Sequence, residues 1–154
     1  MKWNVYLMHI LNKDIDHRLR TENYELKREG IEVMAKILLV DDEPDFVATV
    51  EFFLIGSGYQ VFVAKNGKEA IEQAEREKPD LILMDTMMPE MDGLEACRHL
   101  KMDSSLKSIP IVMVTAKGQM QDVKDALAVG ADSYIIKPFN LPDLEERIEK
   151  MLSK

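Results

Sequence analysis

Lys36-Ile37-Leu38-Leu39-Val40 is an almost wholly apolar run, and Asp41-Asp42-Glu43 follows it directly. A short apolar run without polar alternation reads as a strand buried on both faces, the pattern of a parallel sheet covered by helices. The rhythm repeats down the chain. Phe46, Val50, Phe53 and Leu54 recur at helical spacing, with Gly56 and Gly58 as stop signals, and Gln60–Ala64 is a second strand. Ala70, Ile71 and Ala74 mark a second helix that stops before Pro79. Leu81-Ile82-Leu83-Met84 is a third strand ending at Asp85, and 93–102 a third helix with Leu94, Cys97 and Leu100 on its inner side. Ile111-Val112-Met113-Val114 ends at Thr115; Val123, Ala126 and Leu127 mark a fourth helix closed by Gly130. Tyr134-Ile135-Ile136 ends at Lys137-Pro138, and Leu141, Leu144, Ile148, Met151 and Leu152 form the last helix.

Strands alternating with helices in this way predict an α/β domain: a doubly wound, five-stranded parallel sheet with right-handed crossovers and helices on both faces. Such sheets bind ligands beyond the carboxyl ends of their strands, where strand order reverses. In the order 2-1-3-4-5, the first and third strands are neighbours, so Asp41, Asp42 and Asp85 converge at one rim, with Thr115 and Lys137 closing its other side. Crowded carboxylates repel and need a proton or a cation between them. Hard oxygen donors in a solvent-open rim favour Mg²⁺. Opposite them, a lysine ammonium suits a phosphoryl group and a threonine hydroxyl can donate to one of its oxygens. Together these groups can run phosphoryl transfer to an aspartate. Each residue taken singly also fits a blander role: an aspartate as turn former or cap, Thr115 as a turn residue, Lys137 as a solvated lysine. Their joint position on four strand ends is what points to chemistry. The turn after the first strand, Asp41-Asp42-Glu43-Pro44, has no glycine and would repel a bare phosphate, which excludes a nucleotide-binding loop there.

Composition narrows the function further. The 154 residues are 46% hydrophobic and 31% charged, enough to bury a core. No apolar run approaches the roughly 18 residues of a membrane span, so no membrane partner is expected. The single cysteine excludes an internal disulfide or cysteine-built zinc site and suits a reducing cytoplasm. A net charge of −8 makes the bulk surface a poor match for nucleic acid. Residues 1–34 carry six basic and six acidic side chains, so the other 14 basic and 22 acidic ones carry the whole net charge. That shift sets a boundary near Met34.

The blocks Ile37-Leu38-Leu39-Val40-Asp41-Asp42-Glu43, Asp85-Thr86-Met87-Met88-Pro89-Glu90-Met91-Asp92-Gly93, Val114-Thr115-Ala116, Gly130-Ala131-Asp132 and Lys137-Pro138-Phe139 stand in order. With them, residues 35–154 resemble the flavodoxin-like receiver domains of two-component response regulators, of the stand-alone, CheY-like type. The resemblance implies that Asp85 is the phosphoacceptor for a sensor histidine kinase. It implies that Asp41, Asp42, Asp85 and the Met87 backbone carbonyl hold Mg²⁺, and that Thr115 and Lys137 contact the phosphoryl group. It implies a cis Lys137–Pro138 bond and a switch in which Thr115 moves and Tyr134 swings inward, remodelling the surface of the fourth helix, fifth strand and fifth helix. A dimer through that surface is an expectation. So is output through an unknown downstream protein or a histidine phosphotransfer protein, in a chain with only Ser153 and Lys154 after its last helix. Tyr134 as an ordinary half-buried strand aromatic is the plainer alternative. Met87 and Lys117 occupy positions that tune dephosphorylation in the family, and a methionine there, unable to hold a water in line, suggests a long-lived phosphoryl state.

Two rivals remain in view. One is a receiver-like binding module that takes no phosphate; intact Asp85, Thr115 and Lys137 argue against it. The other is a small Mg²⁺-dependent phosphohydrolase, which in the best-known family of that kind needs a second carboxylate two residues after the nucleophile, where this chain has Met87. The domain would thus be no conventional enzyme, catalysing only its own phosphorylation and dephosphorylation. Cys97 is read as core packing, His99 as exposed and inert, and most of the eleven methionines as packing. In residues 1–34, Trp3, Tyr6, Leu7, Ile10 and Leu11 line one face of a short helix, continued by Ile15 and Leu19, before a polar linker. The segment is either such an extension or the product of a misassigned start, since Arg28-Glu29-Gly30 can be encoded by a purine-rich run shortly before Met34-Ala35-Lys36.

Overall fold

The structure, a computed structural model, describes residues 35–116 and 120–153. The Trp3–Leu11 helix, the linker and Lys117 lie outside the described residues. Five strands, β1 (Lys36–Val40), β2 (Gln60–Ala64), β3 (Leu81–Asp85), β4 (Ile111–Thr115) and β5 (Ser133–Ile136), alternate with five helices. These are α1 (Pro44–Gly56), α2 (Gly67–Glu77), α3 (Gly93–Met102), α4 (Met120–Ala128) and α5 (Leu141–Leu152). All pairings are parallel and the order is β2-β1-β3-β4-β5, as the sequence predicts.

Successive side chains of a strand point to opposite faces, and that alternation divides the core in two. Leu38, Val40, Ile82, Met84, Ile111 and Met113 face one side, with Ala70 and Ala74 of α2, Ala96, Cys97 and Leu100 of α3 and Ala126 of α4. Ile37, Leu39, Leu81, Leu83, Val112 and Val114 face the other, with Val50 and Leu54 of α1 and Leu144, Ile148 and Met151 of α5. β3 and β4 are buried at every position, which is why their sequences are unbroken apolar runs.

The helix starts follow from local chemistry. Asn66, Asp92 and Asn140 accept the backbone N–H groups of Glu69, Glu95 and Asp143, satisfying donors that have no partner within the helix. Pro44 opens α1, where a missing N–H costs nothing. Gly56 falls inside the last turn of α1 rather than beyond it, and Gly58, at φ 95°, makes the reversal into β2. β5 begins one residue before Tyr134, because Ser133 already pairs with Val112.

Several packing expectations need correction. Met84, Met113 and Met151 are buried, but Met87, Met102 and Met120 are exposed. Met87 lies on the loop after β3 and Met102 and Met120 at helix ends, where no second layer covers them. Leu127 is also exposed, since α4 turns only Ala126 fully inward. Cys97 is buried in the core as expected, its Sγ 3.8 Å from the Val129 carbonyl oxygen, and burial pushes its thiol up to about 11. It stays a neutral thiol at physiological pH. His99 is exposed.

Candidate phosphoacceptor site

Four of the five strands hand one side chain each to the carboxyl edge. Asp41 follows β1, Asp85 ends β3, Thr115 ends β4 and Lys137 follows β5. Carboxylate oxygens of Asp41, Asp42 and Asp85 lie within 4.8 Å of one another. Lys137 Nζ reaches across to Asp41 Oδ2 at 2.8 Å. Asp41 Oδ1 accepts the Glu43 N–H at 2.8 Å, so this carboxylate is held from both sides.

The rim is less open than its sequence suggests. Asp41 is 1% and Asp85 8% exposed, and only Asp42 of the three stands in solvent. The loop between β3 and α3 is tied back to the neighbouring strand and helix. The Thr86 N–H bonds Val114 O, and the Gly93 N–H returns to Thr86 O, both at 3.1 Å. Met91 O accepts the Gly67 N–H at 3.0 Å, tying the loop to the start of α2. The closure brings α3 against β3 so tightly that a Cβ on Gly93 would overlap the Asp85 carbonyl oxygen. Glycine is required there for close approach.

Burial sets the electrostatics. Desolvation first, and the Asp41 carboxylate second, raise the Asp85 pKa to about 6 from its ordinary 3.8. The Lys137 ammonium and the Met87 N–H oppose that rise, and the N–H is a long donor at 3.5 Å. Among the described residues, one half-buried ammonium, that of Lys137, faces three carboxylates. The cluster therefore has room, in charge, for a small divalent cation. Three carboxylates within reach of one point form a hard oxygen donor set suited to Mg²⁺.

Thr115 is buried at the end of β4, and its carbonyl accepts the Lys137 N–H at 2.7 Å. Thr115 also lines a cavity of about 310 Å³, shared with Thr86, Met87, Leu94 and Asp122. Tyr134 is half-buried, packed against the α2–α3–α4 face of the core. The Lys137–Pro138 bond is cis. One residue at the site was not singled out as functional from the sequence: Phe46 of α1, whose ring lies under the Lys137 ammonium, 3.8 Å from its centroid. Its helical spacing marks it as inward-facing, but nothing local signals which charge it meets.

A parallel 2-1-3-4-5 sheet gathering carboxylates and a lysine beyond its carboxyl edge defines the receiver class of signalling domains. Residues 37–149 match the family described as "Response regulator receiver domain", and the chain belongs to that family, the receivers of two-component phosphorelay signalling. Over 119 residues it is 42% identical to the "Alkaline phosphatase synthesis transcriptional regulatory protein PhoP" of Bacillus subtilis (strain 168), covering 77% of this chain and 49% of that protein. The chain spans about half the length of the curated relatives it matches. Among solved structures it is similar to the chemotaxis response regulator CheY4 of Vibrio cholerae, with TM-score 0.73, 35% identity and coverage of 77% of this chain and 99% of that one. It is likewise similar to the receiver domain of the sensor histidine kinase PA1611 from Pseudomonas aeruginosa PAO1, described with a magnesium ion coordinated in its active-site cleft. There the TM-score is 0.74 at 32% identity, covering 78% of this chain and 98% of that one. No helix among the described residues is long and apolar enough to cross a membrane.

Proposed function

We propose that this receiver, residues 35–154, accepts a phosphoryl group on Asp85 from a sensor histidine kinase in the cytoplasm, in a Mg²⁺-dependent reaction. The supporting observation is the set of three carboxylates with oxygens within 4.8 Å of one another, facing the half-buried Lys137 ammonium. An Asp85 carboxylate oxygen attacks the phosphorus of a kinase phosphohistidine; the P–N bond breaks, an acyl phosphate forms and the imidazole leaves with a proton. Asp85 is suited to this because β3 fixes its backbone while its side chain sits at the strand end. Mg²⁺ held by Asp41, Asp42, Asp85 and the Met87 carbonyl would neutralise the charge of the two anions that meet. The Lys137 ammonium and the Thr115 hydroxyl bind the phosphoryl oxygens in the product.

The switch then runs through Thr115 and Tyr134 to the surface of α4, β5 and α5, a local charge event biasing a two-state element. Leu127 of α4 and Ile136 of β5 are exposed apolar residues on that surface, which suits a protein partner or a dimer. Output is by protein contact, or by onward transfer to a histidine phosphotransfer protein, rather than by direct binding of this acidic domain to nucleic acid. Residues 1–34 lie outside the receiver, as an extension or as the product of a misassigned start.

Acetyl phosphate with Mg²⁺ should add one acid- and base-labile phosphate, read by intact mass. Asp85→Asn should take up little or none. Equal uptake by that variant, or none by the wild type, would return the domain to a binding module that works without phosphate.

A further inference from the structure

Among the described residues, Lys137 Nζ has one hydrogen-bond acceptor, Asp41 Oδ2 at 2.8 Å. An ammonium carries three donors. A second side of this one rests on the face of Phe46, 3.8 Å from the ring centroid. That ring is fixed in turn by Phe139, at a centroid distance of 6.0 Å and an interplanar angle of 85°. The loop after β5 therefore grips one α1 side chain twice, through Lys137 and through Phe139.

We propose that Phe46 is a positioning residue for Lys137, its ring face holding the ammonium beside Asp41 while leaving donors uncommitted for phosphoryl oxygens. A ring face attracts a cation without taking up a directional hydrogen bond. A second carboxylate in that place would hold the lysine by a donor; an aliphatic side chain would exclude water and attract nothing. The attraction is strengthened by desolvation, and the Lys137 side chain is only 17% exposed. The consequence for phosphoryl transfer rests on Asp85 being the phosphoacceptor; the placement of the ammonium does not.

The test uses the full chain. Without phosphodonor, the Lys137 Cε protons should show an upfield ring-current shift in the wild type and in Phe46→Tyr, lost in Phe46→Leu and in Phe46→Met, the second ring-less variant should the first fold poorly. With acetyl phosphate and Mg²⁺, the ring-less variants should be phosphorylated roughly three- to tenfold more slowly, while Phe46→Tyr stays within about twofold of the wild type. Wild-type rates in a folded ring-less variant, or a Lys137 shift that survives loss of the ring, would overturn the proposal. Should the wild type take no phosphate, the reading of Asp85 fails, and the Lys137 shift alone decides the role of Phe46.

Discussion

Two lysine–aspartate pairs stand at opposite edges of the sheet and are almost equal in length. Lys137 meets Asp41 at 2.8 Å on the carboxyl edge, and Lys101 meets Asp132 at 2.7 Å on the amino edge. Their surroundings differ. Lys101 Nζ also donates to the carbonyls of Lys107, at 3.2 Å, and Ile109, at 2.8 Å, while Asp132 Oδ2 accepts the Ile111 N–H at 2.8 Å. Every donor of that ammonium is used, and the pair ties the end of α3 to the starts of β4 and β5. At the carboxyl edge, among the described residues, the Lys137 ammonium bonds one of three neighbouring carboxylates, and the Asp85 pKa is raised to about 6. A closed hydrogen-bond set is a staple. An open one, with buried negative charge in excess, is unfavourable for folding and useful for binding what completes it.

The largest break in the carboxyl edge needs no change of charge. Gly93→Ala sets a methyl group against the Asp85 carbonyl, and the strand end and helix start must separate. A loss of about 3 kcal/mol or more is expected in denaturant unfolding. A loss below about 1 kcal/mol would mean that the close approach is not required.

Removing the excess charge should have the opposite sign. The folded-state pKa of Asp85 is raised above its ordinary 3.8 to about 6, so between those values the native protein binds the extra proton. Stability from this group is then lost as pH rises through that window, by up to about 3 kcal/mol. Asp85→Asn should therefore be more stable than wild type at pH 7 without divalent ions, by about 1–3 kcal/mol. Below about pH 4 the difference should vanish, because both side chains are then neutral. A variant less stable than wild type at pH 7 would show that the cluster is not under charge strain.

The two lysine pairs can be separated by Mg²⁺. Asp132→Ala leaves the Lys101 ammonium and the Ile111 N–H short of an acceptor; with Asp132 partly exposed, about 1–2 kcal/mol is expected, the same with and without millimolar Mg²⁺. Lys137→Met leaves Asp41 buried beside two other carboxylates, and its loss should shrink as Mg²⁺ is added. Rescue of both variants, or of neither, would erase the distinction between staple and site.

The strand ends were legible because each follows an apolar run that can only be buried, so the first polar residue after it marks the rim. That reasoning located Asp41, Asp85, Thr115 and Lys137, and the structure brings Asp41, Asp42, Asp85 and Lys137 together. Periodicity says which way a side chain faces, not what it meets. Phe46 reads as an inward helix residue, and its partner comes from a distant loop. Gly93 reads as a helix start, and the closeness of Asp85 depends on how the loop between them folds. Nothing in the sequence pairs Lys101 with Asp132, since the ammonium's other partners are backbone carbonyls and the carboxylate's other donor is a backbone N–H, groups that any sequence carries. Solvent exposure of Met87, Met102 and Met120 was missed for the complementary reason: an apolar residue at a loop or helix end has no pattern to say whether a second layer covers it.

The central claim is that one carboxylate of three, Asp85, becomes the acyl phosphate. Borohydride cleaves an acyl phosphate reductively and leaves homoserine where the aspartate stood. The full chain, treated with acetyl phosphate and Mg²⁺, reduced, digested and sequenced by tandem mass spectrometry, should carry homoserine at position 85. Homoserine at position 41 or 42, or a borohydride-resistant phosphate on Thr115, would contradict the assignment.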